Sequence, residues 1–204
     1  MAEKVVLGMI GCGYWGPNLL RNYAALDQVQ LKWVAERSSE RRGWLAKNYP
    51  NVGIANDGAE VLSDSEVRAV IIATPAANHA ELCEAALLAG KDVFVEKPLA
   101  MNTADAVRLA RLADERQRIL MVGHTFLFNG AVRDLKRRMD AGDVGKVHYL
   151  YSQRLNLGIV RSDVNASWNL APHDVSISNY LLGQNPVRVS ANAINALQAE
   201  APRL

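Results

Sequence analysis

Val5-Val6-Leu7-Gly8-Met9-Ile10, followed at once by Gly11-Cys12-Gly13-Tyr14-Trp15-Gly16, decides the fold of this chain. The apolar run reads as a buried strand, and Leu19, Tyr23 and Leu26 then recur at helical spacing. A glycine string alone says little. A GxGxxG set between a strand and a helix is the context that dinucleotide binding requires. Gly11 allows the tight turn, Gly13 lets backbone approach a pyrophosphate, and Gly16 lets helix and strand pack closely. The helix start offers N–H groups and the positive end of its dipole to the phosphates. Pro17 suits the first turn, where its missing N–H costs little. Cys12, Tyr14 and Trp15 belong to the same loop. An acid is expected about 20 residues on, at the end of the second strand, to bind the adenosine ribose hydroxyls. Glu36 stands there. Its carboxylate repels a 2′-phosphate and favours NAD, while Arg37 and Ser38 beside it keep NADP open. The bland alternative is a glycine turn with no ligand.

Working outward, apolar runs alternate with helical patterns. Leu31–Ala35, Val52–Ala55, Ala69–Ala73, Asp92–Val95 and Ile119–Val122 read as strands. Ser39–Asn48, a segment opened by Asn78 with Glu81 in capping-box position, and a segment from Thr103 read as helices. Near-continuous apolar strands separated by helices predict a doubly wound parallel α/β sheet over residues 1–124. Residues 125–204 read differently. A helix is expected at Gly130–Ala141, with Arg133, Lys136, Arg137 and Arg138 on a solvated face, and another at Leu170–Leu182. Long strands at Lys146–Asn156 and from Val187 to Ala193 predict a partial α/β domain with a mixed or antiparallel sheet.

Composition narrows the class. The 204 residues are 50% hydrophobic and 22% charged, with 23 Lys+Arg against 21 Asp+Glu and a net charge of +2. That balance argues against nucleic acid or another polyanion as a partner. No apolar run approaches the roughly 20 residues needed to span a bilayer, so no membrane partner is expected. Cys12 and Cys83 do not make a disulfide framework, and a cytoplasmic location is expected. His79 and Cys83 are four apart but lack further ligands nearby, so no metal site is expected.

With the glycine loop placed, Glu96-Lys97-Pro98 at the end of the fifth strand stands out. Together with Thr74-Pro75, Asn78-His79, Val122-Gly123-His124, Phe128-Asn129, Gly142-Asp143-Val144-Gly145 and Trp168-Asn169-Leu170-Ala171-Pro172-His173-Asp174, it resembles the glucose–fructose oxidoreductase/inositol dehydrogenase (Gfo/Idh/MocA) family. The resemblance runs along almost the whole chain. It implies an N-terminal Rossmann domain, a C-terminal α/β domain on a large open sheet, oligomers formed through that sheet, and NAD(P)-dependent oxidation or reduction of a sugar or polyol hydroxyl. It implies catalytic roles for Lys97, beside the nicotinamide and the reacting hydroxyl, and for His173 as general acid/base. Thr74, Pro75, Asn78, His79 and Glu96 fall among the cofactor-binding positions. The family commonly has an aspartate four residues before the histidine; Asn169 stands there, which removes a carboxylate that would orient the ring. The stretch from Gln153-Arg154 through Arg161 to His173 is similar to members acting on nucleotide-linked amino sugars, resembling UDP-N-acetylglucosamine or UDP-N-acetylglucosaminuronate 3-dehydrogenases.

The chemistry is consistent with those roles. A lysine ammonium stabilises developing alkoxide charge, and a histidine titrating near neutrality suits the proton transfer. Bland readings are a solvated lysine and a capped, hydrogen-bonded histidine. His124 and Asn169 are candidates for the substrate site. Arg154 and Arg161 are candidates for a substrate phosphate or carboxylate, or else solvated surface arginines. Cys12, at a helix N-terminus, is in a position that can lower a thiol pKa. The alternatives are an inositol or free-sugar dehydrogenase, a non-catalytic NAD-binding protein, and an inactive fragment. The family's second domain is considerably longer than residues 125–204, so the chain reads as C-terminally truncated.

Overall fold

The computed structural model describes residues 4–155 and 165–192. The chain divides into two compact units, Met1–Gly123 and His124–Leu204.

In the first unit the apolar runs become strands β1 (Val5–Ile10), β2 (Val29–Ala35), β3 (Gly53–Ala55), β4 (Ala69–Ile72), β5 (Asp92–Val95) and β6 (Leu120–Val122). They form one sheet in the order β3-β2-β1-β4-β5-β6, with every pair parallel. Parallel neighbours need crossovers, and α1 (Gly16–Ala24), α2 (Ser39–Asn48), α3 (Gly58–Ser63), α4 (His79–Leu88) and α5 (Thr103–Glu115) provide helical ones. Side chains alternate across each strand, so the sheet has two apolar faces. Leu7, Met9 and Ile71 pack with Leu19, Leu20 and Leu45 of α1 and α2. Ile10, Val70, Ile72, Val93 and Val95 pack with Val61, Leu87 and Leu109 of α3, α4 and α5. The strand order reverses between β1 and β4. That switch point opens a crevice at the carboxyl ends of the strands, where open α/β sheets bind ligands.

Local chemistry sets several boundaries. The Ser38 hydroxyl accepts from the Arg41 N–H and caps α2. Asn102 caps α5 by accepting from the Asp105 N–H at 2.8 Å while its amide donates to the Asp105 carboxylate at 2.7 Å. Two expectations are corrected. Helix α1 ends at Ala24, two residues short of Leu26, which is 47% exposed. Asn78 makes no side-chain cap bond: a 3-10 turn already begins at Ala76 after Pro75, and leaves Asn78 in helical rather than extended backbone. A cap needs the extended conformation to aim its side chain at the first free N–H groups. The short helix α3, capped by Asp57, was not anticipated from the sequence.

The second unit contains a 3-10 turn at Thr125–Phe128, α6 (Gly130–Asp140) and α7 (Ala166–Leu182). Asn129 caps α6, and Gly183 in the left-handed conformation ends α7. Asp134 pairs with Arg137 and Arg138, and Lys136 with Asp140, all along the exposed flank of α6. The strands expected over 146–156 and 187–193 do not form among the described residues: 146–155 and 187–192 join no ladder. An extended segment becomes a strand only when another strand satisfies its N–H and C=O groups. Tyr149, Leu155 and Val187 instead stand exposed. The α/β class therefore rests on the six-stranded parallel sheet.

Candidate cofactor and active site

Gly11 leaves β1 with φ +85°, and its N–H donates to the Ala35 carbonyl at 2.8 Å. A Cβ at this position would lie 2.6 Å from Thr74 Cγ2 and 3.0 Å from the Ala73 backbone, so only glycine fits between β1 and β4. At Gly16 a Cβ would meet Cys12 Sγ at 3.0 Å. The Cys12 side chain thus packs under the start of α1 as a small buried group. Its thiol is pushed up to about 11 by burial, with the Glu36 carboxylate adding to the effect and Arg41 opposing it. This corrects the expectation of a lowered thiol pKa: desolvation outweighs the helix terminus. Tyr14 and Trp15 stay exposed on the outer side of the loop.

Glu36 sits just past β2 and closes on the glycine loop. One carboxylate oxygen accepts from the Cys12 N–H at 2.7 Å, the other from the Ser38 N–H at 2.8 Å. Arg41, missed in the sequence reading, donates to the carbonyls of Cys12 at 2.8 Å and Gly13 at 3.1 Å. Arg42 donates to the carbonyls of Glu36 at 2.9 Å and Arg37 at 2.7 Å. Both lie in the first turn of α2, so the Ser38 cap that starts this helix is the signal that could have placed them. Arg37 itself is exposed. These residues fit a dinucleotide. The first turn of α1 carries no acidic residue and no side-chain cap that would compete with a phosphate for its N–H groups.

Thr74-Pro75 leaves β4, and Glu96-Lys97-Pro98 leaves the adjacent parallel β5. Both therefore stand at the same sheet end as the glycine loop. Lys97 is half-buried, and the Lys97–Pro98 bond is cis. The Glu96 side chain turns back into the protein, its Oε1 buried with no hydrogen-bond partner among the described residues. Burial raises its carboxyl pKa, while the Lys97 N–H and charge act against that rise. Pro75 and Asn78 are exposed. His79 is 1% exposed and faces two protein carbonyls, so its ring does not present itself to a ligand.

In the second unit His173 lies on α7, which starts at Ala166 and continues through Pro172. The sequence reading put His173 in the first helical turn; it lies in the second. Asn169, four residues earlier, therefore shares its face. The Phe126 ring meets the His173 ring edge-on, with centroids 4.8 Å apart. Arg154 stacks over the other partner of this group, its guanidinium carbon 4.9 Å from the centre of Phe126. Its Nε donates to Asp174 at 2.5 Å, and the Ser152 hydroxyl donates to the same carboxylate at 2.7 Å. Burial alone would raise the Asp174 pKa, but these two bonds and the nearby Arg154 and His173 charges bring it below the usual range. Phe126 and Asp174 were not singled out as site residues. His124 opens this unit, half-buried, just before the 3-10 turn. Arg161 lies outside the described residues. No group of three or more metal-ligating side chains occurs among the described residues.

Comparison with known proteins converges on the same reading. Residues 5–124 match the Gfo/Idh/MocA family model, described as an oxidoreductase family with an NAD-binding Rossmann fold. The chain is 32% identical over 195 residues to UDP-N-acetylglucosamine 3-dehydrogenase of Acidithiobacillus ferrooxidans, covering 95% of this chain and 59% of that protein. It is 30% identical over 198 residues to scyllo-inositol 2-dehydrogenase (NAD(+)) of Bacillus subtilis, covering 94% and 58%. The crystal structure of GenD2 from gentamicin A biosynthesis, in complex with NAD, superposes with a TM-score of 0.81 at 27% identity, covering 90% of this chain and 55% of that one. The chain thus spans a little over half the length of these relatives. The glycine loop, the acid after β2 and the parallel sheet that positions them make a Rossmann unit, and the family match over residues 5–124 places this chain in the Gfo/Idh/MocA family of oxidoreductases, with NAD as the cofactor of that unit.

Proposed function

We propose that this protein oxidises a secondary hydroxyl of a nucleotide-linked amino sugar, with Lys97 and His173 at the reacting group. NAD, when bound, supplies the hydride acceptor. The observation that carries the reading is topological. Gly11–Gly16, Thr74-Pro75 and Glu96-Lys97-Pro98 leave the carboxyl ends of three successive sheet neighbours, β1, β4 and β5. Lys97 then offers an ammonium that hydrogen-bonds the substrate oxygen and stabilises it as the proton leaves. His173 takes the proton. The similarity to a UDP-N-acetylglucosamine 3-dehydrogenase supports the substrate class. Two unpaired, buried cysteines suit a reducing, cytoplasmic compartment. Assembly into a homo-oligomer belongs to the same proposal.

A free polyol is the second reading, and one observation favours it. Arg154, the described cation offered for a substrate diphosphate, is already paired with Asp174. Similarity to a scyllo-inositol dehydrogenase points the same way. A turnover panel with NAD against UDP-N-acetylglucosamine, its uronate, inositol and glucose separates the two. Turnover of unphosphorylated substrates alone sinks the nucleotide-sugar assignment. Lys97→Ala and His173→Ala are each expected to lower kcat by about 100-fold or more. Unchanged turnover in both, with NAD still bound, would mean that neither residue is catalytic.

A further inference from the structure

His79 begins α4, where a histidine is ordinarily solvated, yet its ring is almost wholly buried. Its Nδ1 lies 2.6 Å from the Pro98 carbonyl oxygen and its Nε2 lies 2.9 Å from the Thr74 carbonyl oxygen. Those oxygens belong to the two loops that leave β4 and β5, and they are reached across 5 and 19 residues of chain respectively. A neutral imidazole donates to one of two facing carbonyls; a doubly protonated ring donates to both. Doubly protonated, the ring bonds both loops and is the strut between them; as a neutral imidazole it bonds one loop and fills the space against the other. Nothing in the glycine loop takes part. That loop is held from the other side by Glu36 and Arg41.

We infer that His79 is a positioning residue: it ties the Thr74-Pro75 loop to the Lys97-Pro98 loop and thereby sets the nicotinamide end of the cofactor cleft, leaving the adenosine end to Gly11–Gly16 and Glu36. The inference rests on the reading that Lys97 stands at the nicotinamide. Removing the ring takes away the hydrogen-bond donor that the facing carbonyls have and lets the loops part, moving Lys97. The cost falls on ligands that reach that end.

Calorimetric titration of the purified chain with NADH and with ADP-ribose, which lacks the nicotinamide, tests this. For His79→Ala the Kd of NADH is expected to rise about tenfold, while that of ADP-ribose changes less than about twofold. His79→Asn keeps a donor placed like Nδ1 and His79→Gln one placed like Nε2. Each is expected to recover part of the NADH affinity, and both remain informative if the alanine variant does not fold. Parallel weakening of both ligands, or NADH affinity unchanged in a folded variant, overturns the inference. Wild-type protein that binds NADH no more tightly than ADP-ribose overturns instead the reading of the Lys97 loop as the nicotinamide end, and the His79 role with it.

Discussion

Glu36 serves two ends that a single substitution can separate. It braces the loop through the Cys12 N–H, and in the proposed function its charge lies against the adenosine ribose. Losing the brace weakens any dinucleotide; losing the charge weakens only the discrimination against a 2′-phosphate. Glu36→Ala is therefore expected to raise the Kd for NAD about tenfold or more and that for NADP distinctly less, read by titration with both. Equal losses reject the discriminating role. The residue type and its place after β2 were legible in the sequence. The partners were not: Arg41 reaches the Cys12 and Gly13 carbonyls from 29 and 28 residues away, and no local pattern encodes such a contact. Cys12 makes the same point in reverse. Its position on the chain suggests a lowered thiol pKa, and its burial against Gly16 raises that pKa instead.

Among elements, two asparagines that look alike in sequence behave differently. Asn102 precedes α5 in extended backbone and exchanges two hydrogen bonds with Asp105. Asn78 precedes α4 but lies inside a continuous helical path and bonds nothing with its side chain as a cap. Urea denaturation is expected to show a loss of about 1 kcal/mol for Asn102→Ala and less than about 0.5 kcal/mol for Asn78→Ala. A larger effect at Asn78 contradicts the cap assignment. Capping boxes are written in residue types, but whether the backbone is extended at the first position depends on what precedes it, here the turn after Pro75. The same limit governs the second unit. Alternation over 146–156 has the period of a strand, yet pairing needs a neighbour that the pattern itself does not supply.

In the first unit a charged cluster joins β2 to the segment before β4. Asp64 accepts from Lys32 at 2.6 Å and from the Trp33 indole at 2.7 Å. The Lys32 and Trp33 bonds, with the Glu66 N–H, hold its carboxyl at about 2. A carboxyl held below its ordinary value, near 4, contributes stability above that pH and loses it as the pH falls toward 2. The thermal midpoint of the wild-type chain is thus expected to drop across that window, and Asp64→Asn to flatten the drop. An identical acid limb in both assigns the loss elsewhere.

The sequence by itself determined the parallel α/β sheet, the glycine loop and the acid that follows β2. Apolar periodicity, glycine conformation and helix-terminus polarity are local, and all three point to one fold. Tertiary structure alone decided what each functional group touches. The His79 ring came to face the Thr74 and Pro98 carbonyls, Arg154 found Asp174, and the Glu36 carboxylate found the Cys12 N–H. Apart from the His79–Thr74 contact, which spans 5 residues, these join segments 19 or more residues apart, and only folding sets which distant groups share a site.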